Sequence, residues 1–162
     1  MPFALIEKRP ADCADAELRA FCDLVKLGDE VDPHGLEGRV RSAWLLAFGS
    51  VDGRLAAVAG TKRPNENYRA SVFRKSESKL APKDFPVELG WLMVDEQFRR
   101  KGYGRRVTDG LLGSLGQNVY TTSRSTNEPM HGLLAAYGFR LAGKPWRSER
   151  GPYDLVLHVM SK

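Results

Sequence analysis

Apolar positions recur along this chain with two different periods, and each change of period marks an element. Ala4 to Lys8 reads as a short first strand. Leu18, Phe21, Cys22 and Val25 then recur at helical spacing, with Asp12 placed to cap that helix and Gly28 to close it. A weaker helical pattern covers Pro33 to Ala43. Trp44–Ser50 and Leu55–Thr61 are strand-like and joined through Val51-Asp52-Gly53-Arg54, where Asp-Gly is a strong hairpin signal. Asn65 can cap a helix from Glu66 to about Ser76, and the two prolines between Ser78 and Pro86 predict a loop.

Strand character returns over Val87 to Val94. Gly102 to Leu115 is helical, with Val107, Leu111, Leu112 and Leu115 on one face. Asn118 to Thr122 predicts a strand, Glu128 to Tyr137 a helix capped by Asn127 or Thr126, and Phe139–Ala142 and Asp154–Met160 two more strands. The β-α-β order in the second half argues for a parallel pair, while the hairpins pair antiparallel. The expected fold is therefore α/β (α+β), a mixed central sheet of six to seven strands flanked by helices. With no repeat or long linker, residues 1–162 are expected to form one domain.

Composition narrows the class without naming a function. The chain carries 42% hydrophobic and 28% charged residues, an ordinary balance for a globular domain. Its sequence has no apolar run near the ~20 residues of a membrane span, and acid and base arrive too early at the N-terminus for a secretory leader. A cytoplasmic protein without a membrane partner is the expectation. Cys13 and Cys22, both assigned to the first helix and about 13.5 Å apart along it, are expected to stay reduced. A net charge of +5 favours an anionic partner, be it nucleic acid, acidic protein or a phosphorylated cofactor.

That charge is concentrated where a strand runs into a helix. Five of the eight residues from Arg99 to Arg106 are cationic, and Gly102 and Gly104 sit at the predicted helix start. The first N–H groups of a helix lack intrahelical partners and carry partial positive charge, so such a turn suits a diphosphate. Glycines there remove Cβ atoms that would hold a phosphate off the amides. The spacing fits neither a Rossmann fingerprint, whose third glycine would fall at Val107, nor a P-loop.

Arg99-Arg100-Lys101-Gly102-Tyr103-Gly104 resembles the Q/R-x-x-G-x-G/A signature of the GNAT acyltransferases. Glu88 to Phe98 is similar to that family's fourth strand and its exit. Asn127-Glu128-Pro129-Met130 followed by Tyr137-Gly138-Phe139-Arg140 resembles its later segment. The resemblance covers Glu88 to Arg140 and implies acetyl-CoA as acyl donor, with its pyrophosphate on backbone amides from about Arg100 to Arg105. It further implies that the pantetheine arm pairs with the backbone of Met93 and Val94, between two splayed parallel strands, Glu88–Val94 and Asn118–Thr122. Asn127 would reach the same arm, in competition with helix capping. The implied cofactor-binding set is thus Met93, Val94, Arg99, Arg100, Lys101, Gly102, Tyr103, Gly104, Arg105 and Asn127.

The implied reaction is acetyl transfer to a primary amine of a small molecule or protein, by direct attack in a ternary complex. Glu88 matches the family's frequent base position, with a rim charge or an ion-pair partner as its competing role. The family's usual acid, a tyrosine four residues before the Gly-Phe glycine, is replaced by Leu134. Tyr137 is the nearest candidate, its competing role being packing beside Phe139; Ser125, Tyr120 and solvent also remain. Trp44, Trp91 and Trp146 are expected in the core or a pocket wall. Lys62-Arg63-Pro64-Asn65 can border an acceptor pocket, and His131 is expected at the surface or as a cap. His34 and His158 lack metal-type spacing, so no metal is expected. The alternatives are a non-catalytic acyl-CoA sensor and, less favoured, a nucleic-acid-binding domain. A monomer or homodimer is expected.

Overall fold

The computed structural model describes residues 2–28 and 30–162. Along the chain lie β1 (Phe3–Lys8), α1 (Asp15–Leu27), α2 (Leu36–Arg41), β2 (Leu45–Val51), β3 (Arg54–Lys62), α3 (Glu66–Lys75), β4 (Val87–Val94), α4 (Tyr103–Gly113), β5 (Val119–Arg124), α5 (Glu128–Ala136), β6 (Arg140–Arg147) and β7 (Asp154–Met160). The strands form one mixed seven-stranded sheet in the order β1-β2-β3-β4-β5-β7-β6. The expected parallel pair is β4 with β5, registered at Val87–Val119 and Glu88–Tyr120. The pairs β1–β2, β2–β3, β5–β7 and β6–β7 are antiparallel.

Contacts divide the chain into two compact units, Met1–Arg63 with Leu89–Leu115 and Pro64–Glu88 with Gly116–Lys162. In the first, α1 buries Leu18, Phe21, Cys22, Leu24 and Val25. Phe21 packs edge-on against Phe48 at 5.5 Å and Trp91 at 5.9 Å. The β2–β3 hairpin turns at Asp52 and Gly53, with φ of 50° and 77°. Two successive positive φ values give the type I′ geometry that suits the twist of the flanking strands. In the second unit, Phe73 of α3 meets Phe85 at 5.6 Å and Tyr120 of β5 at 5.4 Å, with Leu157 and Val159 completing the cluster.

Three local expectations need correction. Asp12 does not cap α1: Pro10 starts a short 3-10 turn that takes up Asp12, and the helix begins at Asp15. Glu17 accepts the Ala14 N–H at 2.8 Å and pairs with Lys8 at the same distance, so the acid three residues in does the capping. Consequently only Cys22 lies on the helix; Cys13 precedes it, and both thiols are free. Of the core or pocket-wall places expected for Trp44, the core is ruled out, since the ring is 37% exposed with the Arg63 guanidinium 3.4 Å from its centroid. Asn65 caps α3 as expected, accepting from Asn67 and Tyr68 N–H groups.

Gly60 of β3 is required by a close approach. A Cβ there would lie 2.6 Å from the Trp91 ring. Gly60→Ala is therefore expected to cost about 1–3 kcal/mol in chemical denaturation, because the indole has little room to retreat. Unchanged stability would show that Trp91 is not held against this strand.

Candidate functional site

Strand β4 carries both halves of the expected chemistry, and its backbone is interrupted between them. Trp91 has φ 56°, a left-handed conformation that is unfavourable for a bulky side chain. Packing holds it there: the indole is 5% exposed, Phe21 meets its edge, and the Lys62 ammonium lies 4.8 Å from its centroid. Lys62 also crosses Gly90, whose missing Cβ would fall 2.4 Å from the lysine Cε. Met93 and Val94, the expected partners of the cofactor arm, follow this kink and are half-buried.

Beyond β4 the chain makes a tight turn into α4. Asp95 donates its N–H to the Ala56 carbonyl at 2.8 Å, and its side chain accepts from Gln97 N–H at 3.0 Å. Arg100 and Gly102 take φ of 64° and 79°, with Gly102 at the helix cap position. The first intrahelical bond is Arg106 N–H to Gly102 O, at 3.2 Å. The amides of Tyr103, Gly104 and Arg105 precede it, as an anion cradle needs. A Cβ on Gly104 would meet Val94 at 3.4 Å, an ordinary contact, so packing alone does not require the glycine.

The five cations of this turn are not equivalent. Arg99 donates from Nε to the Val94 carbonyl at 3.1 Å. The Arg106 guanidinium lies 4.4 Å from the Phe3 ring centroid, and Tyr103 stacks on that ring at 4.4 Å. Arg99 and Arg106 thus brace the turn. Arg100 and Lys101 are exposed and make no ion pair among the described residues. Arg105 is exposed on the first turn of α4.

Glu88 is 4% exposed, so it is not a rim charge. Its register partner Tyr120 is fully buried, and paired residues of neighbouring strands share a face. The Tyr120 hydroxyl makes no hydrogen bond of regular geometry. Burial raises its pKa well above the usual phenol range, and the Glu88 carboxylate raises it further. Tyr68 adds to that effect, while Arg69 opposes it. Both residues stand on the first turn of α3. The Arg69 Nε is itself buried without a partner, and one Nη donates to the Phe85 carbonyl at 3.5 Å. This polar group was only partly visible in the sequence, which presented Glu88 and Tyr120 as separate candidates and gave no sign of Tyr68 or Arg69.

Tyr137 follows the last residue of α5 and is half-buried, and Leu134 is wholly buried in the helix's packed face. Asn127 caps α5, its side-chain oxygen accepting the Met130 N–H at 3.2 Å. Trp146 packs partly buried against the Phe73 cluster. A further group was not suggested by the sequence: Ser123 Oγ and His158 Nε2 lie 2.8 Å apart, and the His131 and His158 rings meet edge-on at 5.1 Å. His131 donates from Nε2 to the Arg124 carbonyl at 3.1 Å. Among the described residues there is no cluster of three or more acidic, His or Cys side chains that would hold a metal. No helix among them is long and apolar enough to cross a membrane.

Burial, helped by His131, lowers the His158 pKa to about 4, against an ordinary 6.5. The folded protein thus resists a proton that the unfolded chain accepts. Stability is held above pH 6.5 and lost as pH falls toward 4, with about 3 kcal/mol at stake. Urea unfolding across that range should show the loss, and His158→Gln should remove most of it. Equal pH slopes in both proteins would contradict the assignment.

No curated protein matches the chain by sequence. Solved structures share its fold at low identity. An acyl-CoA N-acyltransferase from Pseudomonas aeruginosa superposes with a TM-score of 0.72 at 14% identity, covering 99% of this chain and 100% of that one. The ribosomal-protein-S18-alanine N-acetyltransferase from Escherichia coli gives 0.70 at 17% identity, covering 98% and 94%. The yncA protein of Salmonella typhimurium, solved with its cofactor acetyl-CoA, gives 0.66 at 16% identity, covering 99% and 94%. The model of the acetyltransferase (GNAT) family matches residues 12–139, and with most of its length matched the chain belongs to that family of acyltransferases.

Proposed function

We propose that residues 1–162 act as one catalytic domain that transfers the acetyl group of acetyl-CoA to a primary amine by direct attack in a ternary complex. The observation that carries this reading is a buried carboxylate, Glu88, on the strand that leads into the glycine-containing helix start at Gly102. The amides from about Arg100 to Arg105 take the diphosphate, with Arg100 and Lys101 supplying charge. Met93 and Val94 offer backbone groups to the pantetheine arm. Asn127 uses its side-chain oxygen on the helix cap, which leaves its amide nitrogen for the same arm.

The acceptor must attack as a free base. An alkylamine with pKa near 10.4 costs roughly 4–5 kcal/mol to deprotonate at neutral pH. Glu88, directly or through water, takes that proton while the amine nitrogen bonds to the thioester carbonyl carbon. Collapse of the tetrahedral adduct breaks the C–S bond to release the CoA thiolate, and the second proton lost from nitrogen passes to solvent or, through the acid, to that thiolate, leaving the neutral amide. A thiol pKa near 8.5 makes that thiolate a tolerable leaving group, so Leu134 in place of the family's tyrosine weakens the reaction without blocking it. Tyr137 is the proposed acid. Tyr120, whose raised pKa keeps its hydroxyl protonated, is the alternative donor. Leu134 also favours a second reading, acyl-CoA sensing without transfer, which CoA release with any amine would overturn.

Acetyl-CoA at about 100 times its Kd should add about 2.7 kcal/mol of stability and raise Tm by roughly 5–10 °C, with ATP giving a smaller rise. Gly104→Val should abolish the rise, because the side chain covers the cradle; no rise in the parent protein would end the cofactor assignment. Glu88→Gln should lower kcat on the order of 100-fold while acetyl-CoA affinity stays nearly unchanged. The loss should be largest below neutral pH, where more of the amine is protonated. Equal activity of both proteins across pH would remove Glu88 from the mechanism.

A further inference from the structure

The two edge strands of the sheet are finished differently. Strand β6 carries the devices that keep an edge from pairing: Pro145, the exposed cations Arg140, Lys144 and Arg147, and an irregular register between Ala142 and Trp146. Its backbone is also covered, since Lys144 N–H donates to the Ser76 carbonyl at 2.6 Å. Strand β1 has no proline, no break in its register on β2 and, from Phe3 to Ile6, no charge. Nothing among the described residues pairs with its other edge. Side chains alternate along it. Phe3 stacks on Tyr103, while Leu5 and Glu7 each lie 3.1 Å from where a Cβ of Gly110 would stand, so these three face α4. Ala4 and Ile6 lie on the opposite face and are exposed, Ile6 at 52%.

We propose that β1 is the interface of a homodimer, paired antiparallel with β1 of a second copy about a two-fold axis at Leu5. An axis perpendicular to the sheet keeps each face continuous, so residues paired across it must share a face. With Leu5 opposite itself, Ala4 meets the partner's Ile6 and Phe3 meets the partner's Glu7. The first pairing covers the exposed apolar side chains of both copies and sets no like charges opposite each other. The second supplies charge complementarity. The Arg106 guanidinium lies 4.4 Å from the Phe3 ring centroid, so the partner's Glu7 arrives beside it. Neither Glu7 nor Arg106 has an ion pair among the described residues. A guanidinium stacked by its face on a ring keeps its edge N–H groups for a carboxylate. The symmetry gives two such pairs, one on each side of the axis. An axis at Glu7 would oppose two carboxylates, and one at Ile6 would set the partner's Glu7 against Leu5, farther from Arg106. A seam this short falls below the ~1,600 Å² of a standard interface, so the dimer is concentration-dependent.

Sedimentation velocity of the full chain from about 1 µM to about 1 mM should show a monomer–dimer equilibrium. Ile6→Lys changes an exposed side chain and should raise the dimer Kd about tenfold or more, with thermal unfolding unchanged. Glu7→Arg and Arg106→Glu, each alone, set like charges across both seam pairs and should weaken the dimer by a similar factor. Mixing the Glu7→Arg protein with the Arg106→Glu protein makes both pairs opposite in sign again, so the mixture should dimerise where neither variant does. Recovery of that kind does not follow from damage to either fold, and thermal unfolding of each variant confirms that it is folded. A chain that stays monomeric over the whole range overturns the proposal. So does a dimer whose Kd is indifferent to Ile6→Lys, because its contact then lies elsewhere. A dimer that Ile6→Lys weakens but that the charge variants leave intact, or a mixture that fails to recover, overturns the pairing centred on Leu5.

Discussion

The Trp91 indole fills the space that a side chain on Gly60 would need, and its own backbone is left-handed in the middle of a strand. A non-glycine residue in that region costs of order 1–3 kcal/mol and persists only where its surroundings over-determine it. Phe21 on the edge of the ring and Lys62 over its face provide that determination. The strain has a position as well as a cost. It separates Glu88 at the start of β4 from Met93 and Val94 at the end, so one strand presents a buried acid and two half-buried backbone positions in different settings.

A second constraint comes from polar groups buried against the hydrophobic clusters. Ser123, His158 and His131 form a satisfied group: the hydroxyl and imidazole meet, and His131 finds a carbonyl. Groups of this kind hold a core together. The Arg69 Nε differs, being buried without a hydrogen bond and so forfeiting about 1–3 kcal/mol that a partner would return, while the Tyr120 hydroxyl has the Glu88 side chain beside it. Uncompensated polarity beside a buried carboxylate is unfavourable for folding and useful for binding.

The distribution of positive charge follows the same logic. A net charge of +5 says only that anions are welcome. In the folded chain two of the five cations of the basic turn are committed to bracing it, Arg99 to a carbonyl and Arg106 to an aromatic ring. The remaining positive field then comes from exposed side chains and from the start of α4, where backbone amides rather than side chains set the geometry.

Much of the fold was legible in the chain because its signals are local. Hydrophobic period, Asp52-Gly53, the Asn65 and Asn127 caps and the glycines of the basic turn each act within a few residues, and each element they predicted is present within a few positions. Where a local signal competed with another, the reading slipped: Pro10 diverted Asp12 into a 3-10 turn, and Glu17 took over the capping. Exposure of Trp44 was hidden too, since an aromatic at a strand start looks the same whether a core or an arginine covers it. By itself, then, the sequence determined the order of elements, the glycine-containing basic turn and the family. Strand register decided the rest, because only pairing across the sheet sets Glu88 beside Tyr120, and only packing brings Arg69 onto the same face. Those contacts join residues some twenty to fifty positions apart, and the energy that fixes them lies in the packed sheet rather than in any one segment.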